Sequence, residues 1–253
     1  MLAQLGCTVG VVGRDAGRTE EVLADCHALG AVDSRAWVVD LADLDRAAEV
    51  GVEAWRALGH LDVLVNNAGM PMRRHTTRLE AGEVEDTMRV NFHAPVRMTL
   101  GVLPLMLVRR SGMILNVAGL GGRLPGPGEA AYSASKFALC GWSESIAADL
   151  WGTGVTVRLV NPGPVDTDFW SRPGNDTPTY DGPKLRVGEA AAGIIAAMEG
   201  DTFEHYVPDV RFIVDVKHAD MDGFIAGVSR LATDGLRLPS RRGRRRLAAP
   251  ASG

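Results

Sequence analysis

Short apolar runs alternate with helix-length stretches along most of the chain, and this alternation limits the folds open to it. Residues 8–12 (TVGVV), 36–39 (AWVV), 61–65 (LDVLV), 113–117 (MILNV) and 155–160 (VTVRLV) read as strands. They are mostly apolar on both faces, as strands covered by helices on two sides must be. Between them, residues 16–29, 44–58, 83–109 and 132–151 have the length of crossover helices. Parallel neighbours need such crossovers, so the pattern predicts an α/β fold with a doubly wound parallel sheet in three layers, of Rossmann type.

The absence of a Pro/Gly/Ser-rich break or a repeat in the middle predicts one domain over residues 1–236. A Gly- and Pro-containing segment at 169–184 suits a mobile lid. Residues 237–253 carry an arginine cluster and read as a solvated, disordered tail, with phosphate gripping as the other reading. The 253 residues carry a net charge of −4, which argues against a protein built around nucleic acid or an anionic membrane. No apolar run is long enough to span a bilayer, and the first residues lack a signal-peptide pattern. Cys7, Cys26 and Cys140 have no metal-ligand spacing, so no metal is expected; they read as small buried hydrophobes in a cytoplasmic protein.

Tyr132 and Lys136 stand four residues apart on a helical stretch, which puts both side chains on one face. An ammonium near a phenol favours the phenolate, so such a tyrosine exchanges protons nearer neutral pH. Reduction of a ketone needs this, a proton donor at the developing alkoxide. The competing reading is a solvated pair on a surface helix. Asn66-Asn67-Ala68-Gly69 follows one predicted strand and Asn161-Pro162-Gly163 another, at the strand ends where parallel sheets bind ligands. Taken singly, each reads as a turn.

Together these segments (NNAG, YSASK and NPGPVDT) resemble the short-chain dehydrogenase/reductase family over residues 8–198. The resemblance implies Tyr132 as general acid/base, Lys136 as holder of the nicotinamide ribose, and Asn91 as the residue that orders a proton-relay water. It implies that Asp40 and Leu41 flank the adenine and that Asn67, Ala68 and Gly69 line the adenosine side. Pro162, Gly163, Val165 and Thr167 face the nicotinamide. Gly13-Arg14 ends a strand where an acidic residue would bind the ribose hydroxyls of NAD; the arginine fork suits a 2′-phosphate instead, so NADP is expected over NAD. A surface arginine is the other reading of Arg14. The helix bearing Tyr132 has a small-residue face (Ala134, Ala138, Gly141), and the family implies a homodimer or homotetramer there; packing on its own sheet is the alternative.

Two departures stand out. Gly6, Gly10, Gly13 and Gly17 form no GxGxxG, so the first strand and the Gly-rich turn that cradles a pyrophosphate are missing, and the reading frame is expected to continue upstream. The family's catalytic serine, 13 residues before the tyrosine, is Gly119 here. Backbone N–H groups at Gly119–Gly122 or the Asn116 amide are candidate replacements. The expected function is NAD(P)-dependent interconversion of a secondary alcohol and a ketone, with a small to medium, apolar substrate in a pocket closed by the segment around Phe169, Trp170 and Tyr180. The alternative is a degenerate, non-catalytic relative that binds nucleotide or a partner.

Overall fold

The computed structural model describes residues 1–234; the arginine-rich segment 237–253 lies outside them. Strands β1 (Gly10–Gly13), β2 (Arg35–Val38), β3 (Val63–Asn66), β4 (Gly112–Val117), β5 (Val155–Pro162) and β6 (Glu204–Val207) are interleaved with eight helices. These are α1 (Ala16–Ala28), α2 (Leu44–Leu58), α3 (Ala81–Met88), α4 (Ala94–Arg109), α5 (Ala130–Asp149), α6 (Val187–Glu199), α7 (Arg211–Ala219) and α8 (Met221–Asp234). Every strand pair is parallel, and helices cover the sheet, as the alternation in the sequence requires. β1 pairs with β2 alone, while β3, β4, β5 and β6 form a second sheet in that order.

The five expected strands and the crossover helices between them are present with small shifts of boundary. The 83–109 stretch is not one helix. A π-turn at Arg89–His93 separates α3 from α4, and it carries Asn91. β6 and the three helices after residue 186 went unread, because EHYV is short, mixed in polarity and only partly buried. Cys26 and Cys140 are buried as expected, but Cys7 is exposed.

The two sheets share a core. Val12 and Trp37 from the β1–β2 pair pack against a cluster that includes Val50, Leu64, Val102, Ile114 and Val157. α2 crosses α4 at close range: a Cβ on Gly101 would lie 2.7 Å from the Ala48 carbonyl oxygen.

A polar thread runs through this core. The Asn66 amide donates to Thr99 Oγ1 (3.1 Å) and to Asn116 Oδ1 (2.8 Å), and Asn116 Nδ2 donates to Ser143 Oγ (2.8 Å). Thr99, Asn116 and Ser143 are fully buried, so each bond forms where water cannot substitute. The thread ties β3, β4, α4 and α5 together at the level where the site loops leave the sheet. Truncation by Asn116→Ala strands two buried partners and should cost about 2–4 kcal/mol, read by urea unfolding. The exposed Thr156→Ala control should move stability by about 0.5 kcal/mol or less.

Candidate active site

All the chemically interesting loops leave the same edge of the sheets, the C-terminal ends of β1 to β5. Tyr132 sits in the first turn of α5, just after the loop 119–129. That loop packs hard on the helix: a Cβ on Gly121 would meet the Tyr132 ring at 2.7 Å, and one on Gly122 would meet Cys140 Sγ at 2.7 Å. Glycine is required at both places for the loop to lie this close.

One turn on, Lys136 is 4% exposed. Its Nζ donates to the Val117 carbonyl (3.0 Å) and stands 6.0 Å from the centre of the Tyr132 ring. Burial lowers its pKa to about 8. Tyr132 is half-buried. Burial first, and the Glu129 carboxyl second, push its hydroxyl above the ordinary phenol value, while Arg73 acts in the opposite sense.

Asn91 is fully buried. Its Oδ1 accepts from Met70 N (2.8 Å), and its Nδ2 donates to Met70 O (3.0 Å) and Ser135 Oγ (3.0 Å). The side chain is thus spent on pinning the loop after β3 to α5, and the π-turn is what aims it there. A Cβ on Gly69 would lie 3.3 Å from Asn91 Oδ1 and 3.4 Å from Lys136 Nζ. The structure therefore brings Gly69, Asn91 and Lys136 to one point, and Tyr132 with Gly119 to another beside it.

The remaining candidates lie along the same edge. Asn67, Ala68 and Gly69 are exposed after β3. Asp40 is exposed after β2, its Oδ1 accepting from Ala42 N, and Leu41 beside it is half-buried. Pro162 and Gly163 are buried at the end of β5, with Gly163 N donating to Val207 O (2.7 Å). Val165 O accepts from Trp170 Nε1 (2.7 Å), and Thr167 Oγ1 accepts from Phe169 N (3.4 Å), so both residues shape the start of the lid.

Arg14 stands apart from these, in a cleft of about 640 Å³ between β1, the start of α1 and the lid. Arg18 and Arg172 line the same cleft, and Arg18 is paired with Asp168 across it at 2.8 Å. Neither was singled out in the sequence, where each is one arginine among many.

The lid is a chain of aromatic contacts. Phe169 packs edge-on to Tyr132 (5.5 Å between centroids) and to Trp170 (6.0 Å), and Trp170 lies 6.1 Å from Tyr180. A charge lies against these rings: the Arg73 guanidinium is 5.9 Å from the Phe169 ring and 5.7 Å from the Trp170 ring.

These donors fit the two ends of a dinucleotide. Lys136 and the loop after β5 suit a nicotinamide ribose, the loop after β3 the adenosine side, and the arginines beside β1 a phosphorylated ribose. Among the described residues no Gly-rich turn supplies a cradle for the pyrophosphate between them.

The sequence profile of the short chain dehydrogenase family matches residues 1–177. The chain belongs to that family. A relative, the 3-oxoacyl-[acyl-carrier-protein] reductase FabG of Staphylococcus aureus strain N315, is 34% identical over 152 residues, 60% of this chain and 61% of the relative. The chain thus spans about six-tenths of that relative's length. The 3-ketodihydrosphingosine reductase of Bacteroides thetaiotaomicron is 40% identical over 111 residues, 44% of this chain and 41% of its own. Among solved structures, the short-chain dehydrogenase of Sphingobium yanoikuyae in complex with NADPH superposes with a TM-score of 0.76 at 23% identity, covering 100% of this chain and 92% of that one. A Burkholderia phymatum short chain dehydrogenase/reductase in complex with NAD gives a TM-score of 0.78 at 22% identity, covering 87% of each chain. The Rossmann-type fold of the family is therefore the fold of this chain.

Family membership makes Gly119 the position to explain. A Cβ there would lie 3.5 Å from Tyr132 Oη, so a serine at this position would stand beside the phenol. Its φ of 84° is a left-handed conformation that side chains resist. Of the proposed replacements, the Asn116 amide is excluded, since both its ends are bonded inside the core. Gly119→Ser should raise kcat/KM about 10-fold to 100-fold by restoring a donor, at a stability cost of about 1 kcal/mol. Steady-state kinetics and thermal melts on the pair of proteins check both parts.

Proposed function

We propose that this short-chain dehydrogenase is an NADP-preferring oxidoreductase that interconverts a secondary alcohol and a ketone. The observation that carries the reading is the convergence of Tyr132, Lys136, Asn91 and Gly69 at one strand-end site. The bound nicotinamide dinucleotide supplies or accepts the hydride. Everything else falls to the chain. In the reducing direction Tyr132 Oη gives its proton to the carbonyl oxygen as negative charge develops there, so that hydride and proton together make the alcohol. The Lys136 ammonium holds the ribose hydroxyls and favours the phenolate left behind. Asn91 fixes the Gly69–Met70 backbone beside Lys136, and Phe169 shields the reacting face from water.

NADP preference rests on Arg14 with Arg18 and Arg172 near it, a cluster of donors suited to a phosphate. The NADPH complex of the Sphingobium relative is in line with this. Ala134 and Gly141 are exposed on α5, as a homodimer or homotetramer packed through that helix requires. No described helix is long and apolar enough to cross a membrane. We place the protein in the cytoplasm, with residues 1–236 as one domain.

A second reading has a specific observation in its favour. Gly119 removes a donor, and the Tyr132 hydroxyl is pushed away from neutral pH, as in a chain that binds nucleotide without turnover. Titration calorimetry with NADPH and NADH, combined with ketone-dependent NADPH oxidation, separates the two. The proposal expects NADPH to bind about 10-fold more tightly than NADH, the preference to vanish in Arg14→Ala, and oxidation to follow ketone addition. Binding without oxidation supports the second reading, and no binding of either nucleotide sinks both.

A further inference from the structure

Arg73 is a buried cation with no anion of its own. It is 3% exposed, on the loop that follows β3. Its Nε donates to Asp176 O (3.3 Å), and its Nη2 to Phe169 O (3.4 Å) and Trp170 O (2.9 Å). Nη1 is buried and has no protein partner. The neighbouring arginines differ: Arg74 is paired with Glu83 at 2.8 Å and Arg78 with Asp176 at 2.6 Å. Asp176, whose backbone Arg73 touches, has its carboxylate turned to Arg78 and to His75 N.

Taking a guanidinium out of water without a counter-charge costs several kcal/mol. Carbonyl dipoles and the Phe169 and Trp170 rings offset part of that cost. They leave one N–H₂ group unused, and its place in the site is informative. The Phe169 ring is touched by Tyr132 at 5.5 Å and by the Arg73 Cζ at 5.9 Å, so the proton donor and the cation border the same ring. Glu129 is the carboxyl whose field reaches Arg73, yet it forms neither an ion pair nor a hydrogen bond with it.

We propose that Arg73 Nη1 binds a carboxylate of the substrate, so that this dehydrogenase takes an oxo acid or its hydroxy acid, the carbonyl at Tyr132 and the carboxylate at Arg73. This rests on the proton-transfer role given to Tyr132 above and adds the substrate class. The same guanidinium latches the lid through the Phe169 and Trp170 carbonyls, so the charge that receives the carboxylate also holds the aromatic cover.

The test separates charge recognition from the latch. Thermal shift measurements on the full chain use 2-oxopentanoate, 4-oxopentanoate and 6-oxoheptanoate beside their methyl esters, which keep the shape and remove the charge. At least one acid should raise the melting temperature of the wild type while its ester does not, and that difference should vanish in Arg73→Met and return in part in Arg73→Lys. With NADPH present, the same acid should be reduced with a kcat/KM about 10-fold to 100-fold above its ester, and Arg73→Met should lower the acid's value by at least about 10-fold more than the ester's. Equal shifts by acid and ester in the wild type, or equal losses for both substrates in Arg73→Met, overturn the proposal and leave Arg73 as a latch only. Acid-specific shifts without turnover leave the proposal's carboxylate site standing and count against the oxidoreductase reading instead.

Discussion

The site depends on two buried asparagines. Asn66 ends β3 and Asn116 lies in β4, and their side chains bond to each other and onward to Thr99 and Ser143. An amide pair in an apolar core is stable only when each donor and acceptor is placed, so the network admits one register of β3, β4, α4 and α5. That register decides where the loop after β3 presents Asn67 to Gly69 and where α5 presents Tyr132 and Lys136. Asn91 repeats the device one layer out, bonding Met70 on one side and Ser135 on the other. The reacting groups are then held by polar bonds that water cannot compete for.

Within this frame the electrostatics are unequal. Lys136 and Tyr132 are both displaced by burial, the lysine downward to about 8 and the tyrosine upward. Burial penalises the charged form of each: the phenol stays protonated, and the lysine, with its pKa at about 8, stays an ammonium at neutral pH without a counter-charge. Lys136 meanwhile rests on the Val117 carbonyl. The proposed reaction supplies that charge, since an alkoxide developing near Tyr132 needs a proton, and an ammonium beside the phenolate then has a partner. Arg73 adds a second fixed cation, 5.9 Å from the Phe169 ring that also packs on Tyr132. Its field lowers the Tyr132 pKa, in the direction opposite to burial.

Much of this was legible from residues alone. The doubly wound architecture followed from strands apolar on both faces, and α2 covers the same 44–58 that read as a crossover helix, with Asp43 capping it and Gly59 ending it in the structure. Tyr132 and Lys136 stood out by a spacing of four on a helix, and the NNAG and NPG segments with the family resemblance gave that pair its weight. What the sequence withheld has physical reasons. A π-turn at Arg89–His93 has no residue signature of its own in RVNFH, so the stretch read as one continuous helix. β6 is too short and too mixed in polarity to read as a strand. Arg73 looks like any loop arginine: its meaning comes from Phe169 and Trp170, about a hundred positions away along the chain. Asn116 invited a reading as a substrate donor until its bonds were seen to point inward.

Tyr132 as the proton-transfer group is the central claim, and one paired measurement tests it most directly. NADPH binding and ketone-dependent NADPH oxidation are followed on the wild type and on Tyr132→Phe, which removes only the hydroxyl. The account predicts equal binding by both proteins, with oxidation by the wild type and a loss of about 10²-fold or more in the variant. Oxidation that survives in Tyr132→Phe at the wild-type rate contradicts it.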